Sequence, residues 1–382
     1  MIQLIVNTYL WYLPLLLFFE IALNKKKSNA TALASDNGEK VTGKQDGKKA
    51  GLIYSILVFL PLVLLAGYRA GIHGGIGDTG LYCAMFRSYP NTLSELATSS
   101  DVGGKMYGWE VFSVFIRQFI SQQDRYWLLT IAIIQGVCLL LTFRRYSTDI
   151  AIIGFLFFAS TDFISWMMNG MRQFLVVSVI FLLFPLVQKR KVWSIALFIF
   201  AVIILSKVHS SCLLVIPLYL VSLGKPFNKF TIFVLICCVL SVVFLGQFTD
   251  ILGLALETTD YSGVTTYMKT DDGTNPLRVI VYSIPAIFAI IFRKKLFDDA
   301  PDIINISVNM SLISMGIYVV SIFTSGIFIG RIPIYFSLFS YILLPWELRK
   351  IFSKEKFTIV LAIMVVLYMI FYFIQVKQWG FW

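Results

Sequence analysis

Residues 68–86 read YRAGIHGGIGDTGLYCAMF and follow directly on an apolar segment, Leu52–Gly67. The glycines permit backbone conformations with positive φ and allow a ligand to approach the backbone closely. Between them stand a cation, a titratable ring and a carboxylate, Arg69, His73 and Asp78. Polar groups at a membrane boundary are costly to leave without a function. This stretch is therefore interpreted either as a turn with an arginine that reaches the aqueous phase, or as part of a binding site.

The composition around this stretch is that of an integral membrane protein. Of the 382 residues, 58% are hydrophobic and only 14% are charged, whereas about a quarter are charged in a soluble domain. The five cysteines form no C-x-x-C pair and are interpreted as small apolar residues, not as a disulfide framework or a metal site. We expect no metal and no cofactor. The net charge of +11 is attributed to basic cytoplasmic loops, so nucleic acid is not an expected partner.

Long apolar segments recur along the chain, and about 20 residues are needed to cross a bilayer core. The sequence predicts one polytopic membrane domain over residues 1–382, an all-α helical bundle of about 11–12 spans. The predicted segments are Ile2–Leu23, Leu52–Tyr68, Trp127–Phe143, Ile150–Met167, Phe174–Val187, Val192–Ser206, Ser211–Leu223, Phe230–Phe248, Leu277–Phe292, Ile303–Phe323, Ile332–Trp346 and Phe357–Ile374.

The distribution of lysine and arginine predicts the orientation. Alternate loops, beginning with residues 24–51, hold most of the 32 basic residues and are predicted to be cytoplasmic, which places both termini outside. Residues 24–51 are rich in Lys, Gly, Asp and Ser, and we predict a disordered loop there. On the outer side the substantial loops are 69–126, with a short interfacial helix predicted over Trp109–Ile120, and 249–276. Because the substantial loops lie on the outer side, we expect the functional site of the bundle to lie on that side too.

Four polar features interrupt apolar sequence at predicted outer helix ends. They are Arg69 with Asp78, Asn169-Gly170-Met171-Arg172-Gln173, Lys207-Val208-His209-Ser210-Ser211, and Gly330-Arg331-Ile332-Pro333-Ile334-Tyr335. Each one alone could simply mark a turn. All four place a cation or an imidazole at the predicted outer face. This shared location favours a binding site for an anion. Arginine suits such a site because its planar guanidinium binds phosphate oxygens in pairs and stays charged.

The two candidates for proton transfer are His209 and Asp78. His209 is interpreted either as an ordinary hydrogen-bonded side chain or as a proton acceptor at neutral pH. Asp78 competes for the same role. The sequence has no P-loop and no dinucleotide-binding fingerprint, because its glycines follow a membrane span and not a strand. A phosphorylated lipid is therefore the expected anion, not a soluble nucleotide.

These motifs together resemble a known family. Arg69…Gly77-Asp78-Thr79-x-x-Tyr82-x-x-x-Phe86, Arg172-Gln173, His209-Ser210-Ser211-x-x-Leu214-x-x-Pro217-Leu218-Tyr219 and Arg331-x-x-x-Tyr335-Phe336 resemble the EpsG family of Wzy-type polysaccharide polymerases. The similarity spans roughly residues 68–219 and 331–345, and the insertion His73-Gly74-Gly75 departs from the family pattern.

The resemblance implies a GT-C-like membrane glycosyltransferase that needs neither metal nor nucleotide sugar. Its expected substrates are a glycan donor and a glycan acceptor, both carried on undecaprenyl diphosphate, at the outer face of the bacterial inner membrane. A chain-length regulator and a flippase are the further partners that the resemblance suggests. The implied roles are diphosphate binding by Arg172, Arg331 and Arg69, general base catalysis by His209 or Asp78, and substrate positioning by Gln173, Tyr82 and Tyr335.

Two other functions remain open at this point. A flippase or transporter of lipid-linked oligosaccharide would place polar residues near the middle of the bilayer and show related halves. An O-antigen ligase would share the chemistry but deliver the glycan to a different acceptor. The ionisable groups singled out here lie at one predicted face, which favours the polymerase over the flippase.

Overall fold

The computed structural model describes residues 12–17, 51–69, 76–98, 107–256 and 273–379. All regular elements in these ranges are helices, and no strand occurs in them. Helices are expected because a backbone in hydrocarbon can satisfy its N–H and C=O groups only internally. The predicted all-α polytopic fold is confirmed.

The helices are named here in chain order. They are α1 Leu52–Gly67, α2 Thr79–Ser88, α3 Leu93–Thr98, α4 Tyr107–Phe119, α5 Asp124–Tyr146, α6 Ile150–Ala159, α7 Met171–Gln188, α8 Val192–Ser206, α9 Val215–Ser222, α10 Lys229–Val243, α11 Leu245–Leu256, α12 Pro276–Ile291, α13 Arg293–Leu296, α14 Asp302–Ile322, α15 Ile334–Ser337, α16 Ser340–Ile351 and α17 Lys354–Gln378. A π-helix, Phe163–Asn169, lies between α6 and α7, and two 3₁₀ helices, Ser210–Leu214 and Ile329–Arg331, precede α9 and α15.

The described residues contain fewer full-length spans than the sequence predicts. By length and composition, α5, α7, α14 and α17 can each cross a membrane. Three bent pairs raise the number to seven if each counts as one span: α6 with the π-helix, α10 with α11, and Ile329–Ser337 with α16. The apolar helices α1, α8, α12 and Ser210–Ser222 are shorter. Four to seven of the predicted segments are thus long enough to be spans by themselves, and the other apolar runs form the shorter helices.

The predicted span Phe230–Phe248 shows the difference most clearly. Helix α10 ends at Val243, and α11 leaves it at 107°. The predicted outer loop 249–276 therefore begins as helix through Leu256, and residues 257–272 lie outside the described part of the chain. Most of the predicted first span, the predicted disordered loop 24–50 and His73 also lie outside the described residues.

The central helices approach each other closely. Helix α1 packs along α5, where a Cβ added to Gly136 would lie 2.2 Å from Val63 Cγ2. Small residues at such contacts let membrane helices gain packing energy that hydrocarbon alone does not provide. Aromatic rings fill the core beside α7, where Phe184 packs edge-on against Phe339 and Tyr219.

Ion pairs tie several helix ends together on one side of the bundle. Arg349 at the end of α16 pairs with Asp149, which precedes α6. Arg190 beyond α7 pairs with Asp302 at the start of α14. By helix direction, the start of α7, the end of α14 and the start of α16 lie toward the opposite side. That side carries the breaks described next.

Candidate active site

The first break lies between α6 and α7. The chain turns by 80° into the π-helix, and Thr161 at the turn has φ 73°, which is unusual for a β-branched residue. Gly170 then separates the π-helix from α7, so Arg172 and Gln173 lie in the first turn of that helix. The dipole of a helix N-terminus favours an anion near this turn.

Two more breaks carry the other predicted site residues. His209 joins α8 to the 3₁₀ helix Ser210–Leu214 in an extended conformation, with φ −153° and ψ 105°. Arg331 ends the 3₁₀ helix Ile329–Arg331, and Tyr335 follows in α15. Each of these residues is thus held where a helix is interrupted.

Hydrogen bonds join the three breaks into one site. Gln173 Nε2 donates to the carbonyl oxygen of Arg331 at 2.8 Å. The hydroxyls of Ser211 and Tyr335 are 3.0 Å apart. Tyr219 donates to the carbonyl oxygen of Tyr335 at 2.7 Å. Segments more than 100 residues apart in sequence are therefore fixed against one another.

The charges of this site act on His209. Burial lowers the pKa of the half-buried His209 below its ordinary value of 6.5, and the positive charges of Arg172 and Arg331 lower it further. A lowered pKa means that the imidazole is neutral at pH 7. His209 is therefore a neutral imidazole near two positively charged guanidinium groups.

The glycine-rich stretch packs against the first break. The backbone N–H of Asp78 donates to Asn169 Oδ1 at 2.8 Å. Gly77 has φ 52°, and a Cβ there would lie 2.1 Å from the same oxygen, so only glycine fits. The Asp78 side chain is exposed and stands at the rim of the site, next to the end of the π-helix.

Arg69 occupies a different position from the other two arginines. It is 1% exposed, and its guanidinium contacts Thr79 Oγ1 at 3.2 Å, Met171 Sδ at 2.8 Å and the carbonyl oxygen of Ala66. These contacts attach the end of α1 to the residue before Arg172. Direct binding of a diphosphate by Arg69 stays a prediction, and what the geometry supports is a role in positioning.

The predicted site residues are thus brought together to different degrees. Arg172, Gln173, His209, Arg331 and Tyr335 meet at the three breaks. Tyr82 lies in an aromatic cluster, with its ring 6.0 Å from that of Trp109 in a T-shaped arrangement. The role of each residue remains a prediction.

Sequence reasoning missed Glu110. The N–H of Gly108 donates to the carbonyl oxygen of Lys207 at 3.0 Å, which sets the start of α4 beside the segment that leads into His209. Burial raises the pKa of the neighbouring Tyr89, the negative charge of Glu110 raises it further, and the positive charge of Arg172 lowers it. A carboxylate therefore lies in the same neighbourhood as Arg172. The signal available in the sequence was an acidic residue directly before the helical apolar pattern of Val111, Phe112, Phe115 and Phe119.

Sequence reasoning also missed a buried polar network at Asp162, directly before the π-helix. Asp162 is 1% exposed and accepts hydrogen bonds from Tyr341 at 2.6 Å, Tyr282 at 2.7 Å and Trp166 at 3.2 Å. Arg278 Nη2 lies 3.9 Å from the carboxylate and donates to Ser165 Oγ at 2.6 Å. Asp162 stood inside the predicted span Ile150–Met167, and a carboxylate within a span is itself an indication of function.

Asp162→Asn is expected to destabilise the protein by about 3 kcal/mol, because it leaves the partly buried Arg278 without its counter-ion and removes an acceptor from three donors. The measurement is the midpoint of thermal unfolding in detergent. Asp302→Asn is the matched control, since the side chains of Asp302 and its partner Arg190 are 43% and 48% exposed and such a pair contributes about 1 kcal/mol or less. Equal shifts in the two variants would contradict a special role for the Asp162 network.

The comparisons with known proteins agree with the motifs. The model of the EpsG family matches residues 52–381, which is most of the chain and includes all three breaks. No curated protein and no solved structure matches the chain. In the described residues, no group of three or more His, Cys, Asp or Glu side chains is placed to hold a metal ion.

Proposed function

The chain belongs to the EpsG family of polysaccharide polymerase-like membrane proteins, and from that premise we propose that it polymerises lipid-linked oligosaccharide repeat units. The donor glycan is carried on undecaprenyl diphosphate, and the acceptor is a hydroxyl of a second lipid-linked glycan. The reaction takes place at the outer face of the bacterial inner membrane. The observation that carries the proposal is the meeting of Arg172, Arg331 and His209 at three helix breaks.

The two arginines bind the diphosphate of the donor. As the bond between the anomeric carbon and the diphosphate oxygen breaks, negative charge grows on the leaving diphosphate. Arg172 and Arg331 both lie near His209 in the folded protein, so together with the first turn of α7 they stabilise this charge with little reorganisation. Gln173 contributes by fixing the backbone of Arg331, and Arg69 by holding Met171.

His209 accepts the proton of the attacking hydroxyl. The acceptor oxygen forms a bond to the anomeric carbon, the diphosphate leaves with the electron pair of the broken bond, and the proton moves to the imidazole. A diphosphate is a stable anion and needs no acid to leave. Asp78 at the rim and Glu110 near Arg172 are the alternative bases.

The test is elongation by the purified protein in lipid vesicles supplied with an undecaprenyl-diphosphate-linked repeat unit. We expect a ladder of products that grow by whole repeat units, with release of undecaprenyl diphosphate. Unchanged substrate would contradict the proposal. In cells, deletion should leave single repeat units on the surface, whereas loss of all surface glycan would indicate a flippase or a ligase.

A further inference from the structure

Arg278 stands where a cation is unfavourable. It is the third residue of α12, and the positive end of the helix dipole lies at this turn. The carboxylate of Asp162, 3.9 Å from its Nη2, supplies a negative charge that offsets this cost. The guanidinium also packs over the rings of Tyr282 and Trp379, with its Cζ 5.2 and 5.6 Å from the ring centroids. Arg278 is therefore held by an ion pair and two aromatic rings, and the proposed mechanism leaves it without a role.

The same guanidinium contacts the π-helix. Its Nη2 donates to Ser165 Oγ at 2.6 Å, and the carbonyl oxygen of Ser165 accepts the N–H of Gly170 at 3.0 Å. This bond spans five residues, as in a π-helix, and Gly170 is where α7 begins. A Cβ added to Gly170 would lie 2.9 Å from Trp166 Cε3, so the chain has little room there. The position of Gly170, two residues before Arg172, is thus set by contacts that begin at Arg278.

The segment directly before α12 packs on the break at Arg331. The N–H of Thr274 donates to the carbonyl oxygen of Ser321 at 3.0 Å. A Cβ added to Gly330 would lie 2.4 Å from Thr274 Oγ1, and Gly330 directly precedes Arg331. The start of α12 therefore contacts the π-helix through Arg278 and the segment that carries Arg331 through Thr274.

We propose that Arg278 is a positioning residue, which fixes the π-helix so that Arg172 stays near Arg331. Two guanidinium groups repel each other, so contacts elsewhere in the fold must keep them close together. The bond from Gln173 to the carbonyl oxygen of Arg331 is one such contact, and the start of α12 supplies a second. The effect of Arg278 on elongation rests on the proposed function, whereas its effect on the position of Arg172 does not.

The imidazole of His209 makes the position of Arg172 measurable without any reaction. The chain has two histidines, so in a His73→Gln background the titration followed by NMR of histidine-labelled protein in lipid nanodiscs belongs to His209 alone. The positive charge of Arg172 lowers the pKa of His209. Ser165→Ala removes one hydrogen bond of Arg278 and changes no charge, so a change in that pKa would reveal a movement within the site.

We expect Ser165→Ala to raise the pKa of His209, in the same direction as Arg172→Ala, because a released π-helix lets the two arginines move apart. The rise should be a few tenths, the change that Coulomb's law gives when two charges in a protein separate by about 1 Å more. Ser283→Ala is the matched control, since its buried hydroxyl donates to the carbonyl oxygen of Val279 in its own helix. An unchanged pKa in Ser165→Ala, or an equal rise in both serine variants, would overturn the inference.

Arg278→Met should lower the rate of elongation about 10²-fold, the loss that a displacement of about 1 Å can cause from outside the reacting groups. In an Arg172→Ala background the same substitution should cost much less, because the group that it displaces is already absent. Arg278→Lys keeps a counter-charge for Asp162 and should unfold at a higher temperature than Arg278→Met. It should not recover the rate, because one ammonium group cannot replace the guanidinium contacts to Ser165 and Tyr282 together.

Equal fold losses from Arg278→Met in the wild-type and Arg172→Ala backgrounds would show that Arg278 only stabilises the fold, and would overturn the inference. If the wild-type protein elongates no substrate, the proposed function fails, and the titration of His209 alone decides whether Arg278 positions Arg172.

Discussion

Arg172→Ala and Arg331→Ala are each expected to lower the rate of glycan elongation by about 10²–10³-fold, the effect of removing one donor from a preorganised anion site. Both guanidinium charges act on His209, so both groups lie near it and both should stabilise the charge that grows on the leaving diphosphate. The measurement is the initial rate of ladder formation by the purified variants in vesicles, at saturating lipid-linked repeat unit.

Two further variants test whether the planar guanidinium group is required or whether any positive charge is sufficient. Arg172→Lys and Arg331→Lys should also lose most of the rate, because an ammonium group cannot bind two phosphate oxygens in a plane. The double alanine variant should lose less than the product of the single losses, since both arginines act on one group. Arg125→Ala is the control, because Arg125 is exposed and packs on Tyr126. Wild-type elongation by Arg172→Ala or Arg331→Ala would remove that residue from the site.

The positions of the three breaks could be predicted from the sequence. Asn169–Gln173, Lys207–Ser211 and Gly330–Tyr335 are polar interruptions of apolar runs, and a membrane helix rarely carries such groups along its length without a reason. What the pattern could not show is that these interruptions touch. The contacts of Gln173 with Arg331 and of Ser211 with Tyr335 join residues 158 and 124 positions apart.

The number of spans could not be predicted for a different reason. Hydropathy measures how apolar a run is but not whether its axis is straight. The bends after Ala159 and Val243 come at Ser160–Asp162 and Phe244, where neither glycine nor proline marks the turn. The sequence predicts one segment in each place, and the structure bends each of them by more than 40°.

Arg69 and Asp162 show what a single sequence leaves out about polar groups in membranes. The sequence predicts that Arg69 binds the ligand, but its guanidinium is enclosed by Thr79, Ala66 and Met171. Asp162 could be buried only because donors 120 and 179 residues away reach its oxygens. Whether a charge serves packing or substrate depends on partners that sequence distance conceals.

His209→Gln is expected to lower kcat for elongation by about 10²–10⁴-fold, the usual contribution of a general base. Glutamine keeps the approximate size and hydrogen-bonding capacity of the imidazole but cannot take up a proton. Asp78→Asn and Glu110→Gln are measured in parallel, because they neutralise the two carboxylates near the site. If either of them, and not His209→Gln, causes the large loss, that carboxylate is the base.

The pH dependence of kcat and of kcat/KM should show how substrate binding changes the pKa of His209, the proposed general base. In the free enzyme, burial and the charges of Arg172 and Arg331 lower the pKa of His209 below its ordinary 6.5, so the imidazole stays neutral as the pH falls through that value. The profile of kcat/KM, which reports the free enzyme, should therefore show no loss from His209 near pH 6.5. A bound diphosphate brings negative charge between the two arginines and raises the pKa again, since an opposite charge favours the protonated form. The acid limb of kcat, which reports the complex, should thus lie at higher pH than that of kcat/KM and should disappear in His209→Gln. An unchanged acid limb of kcat in that variant would show that another group takes the proton.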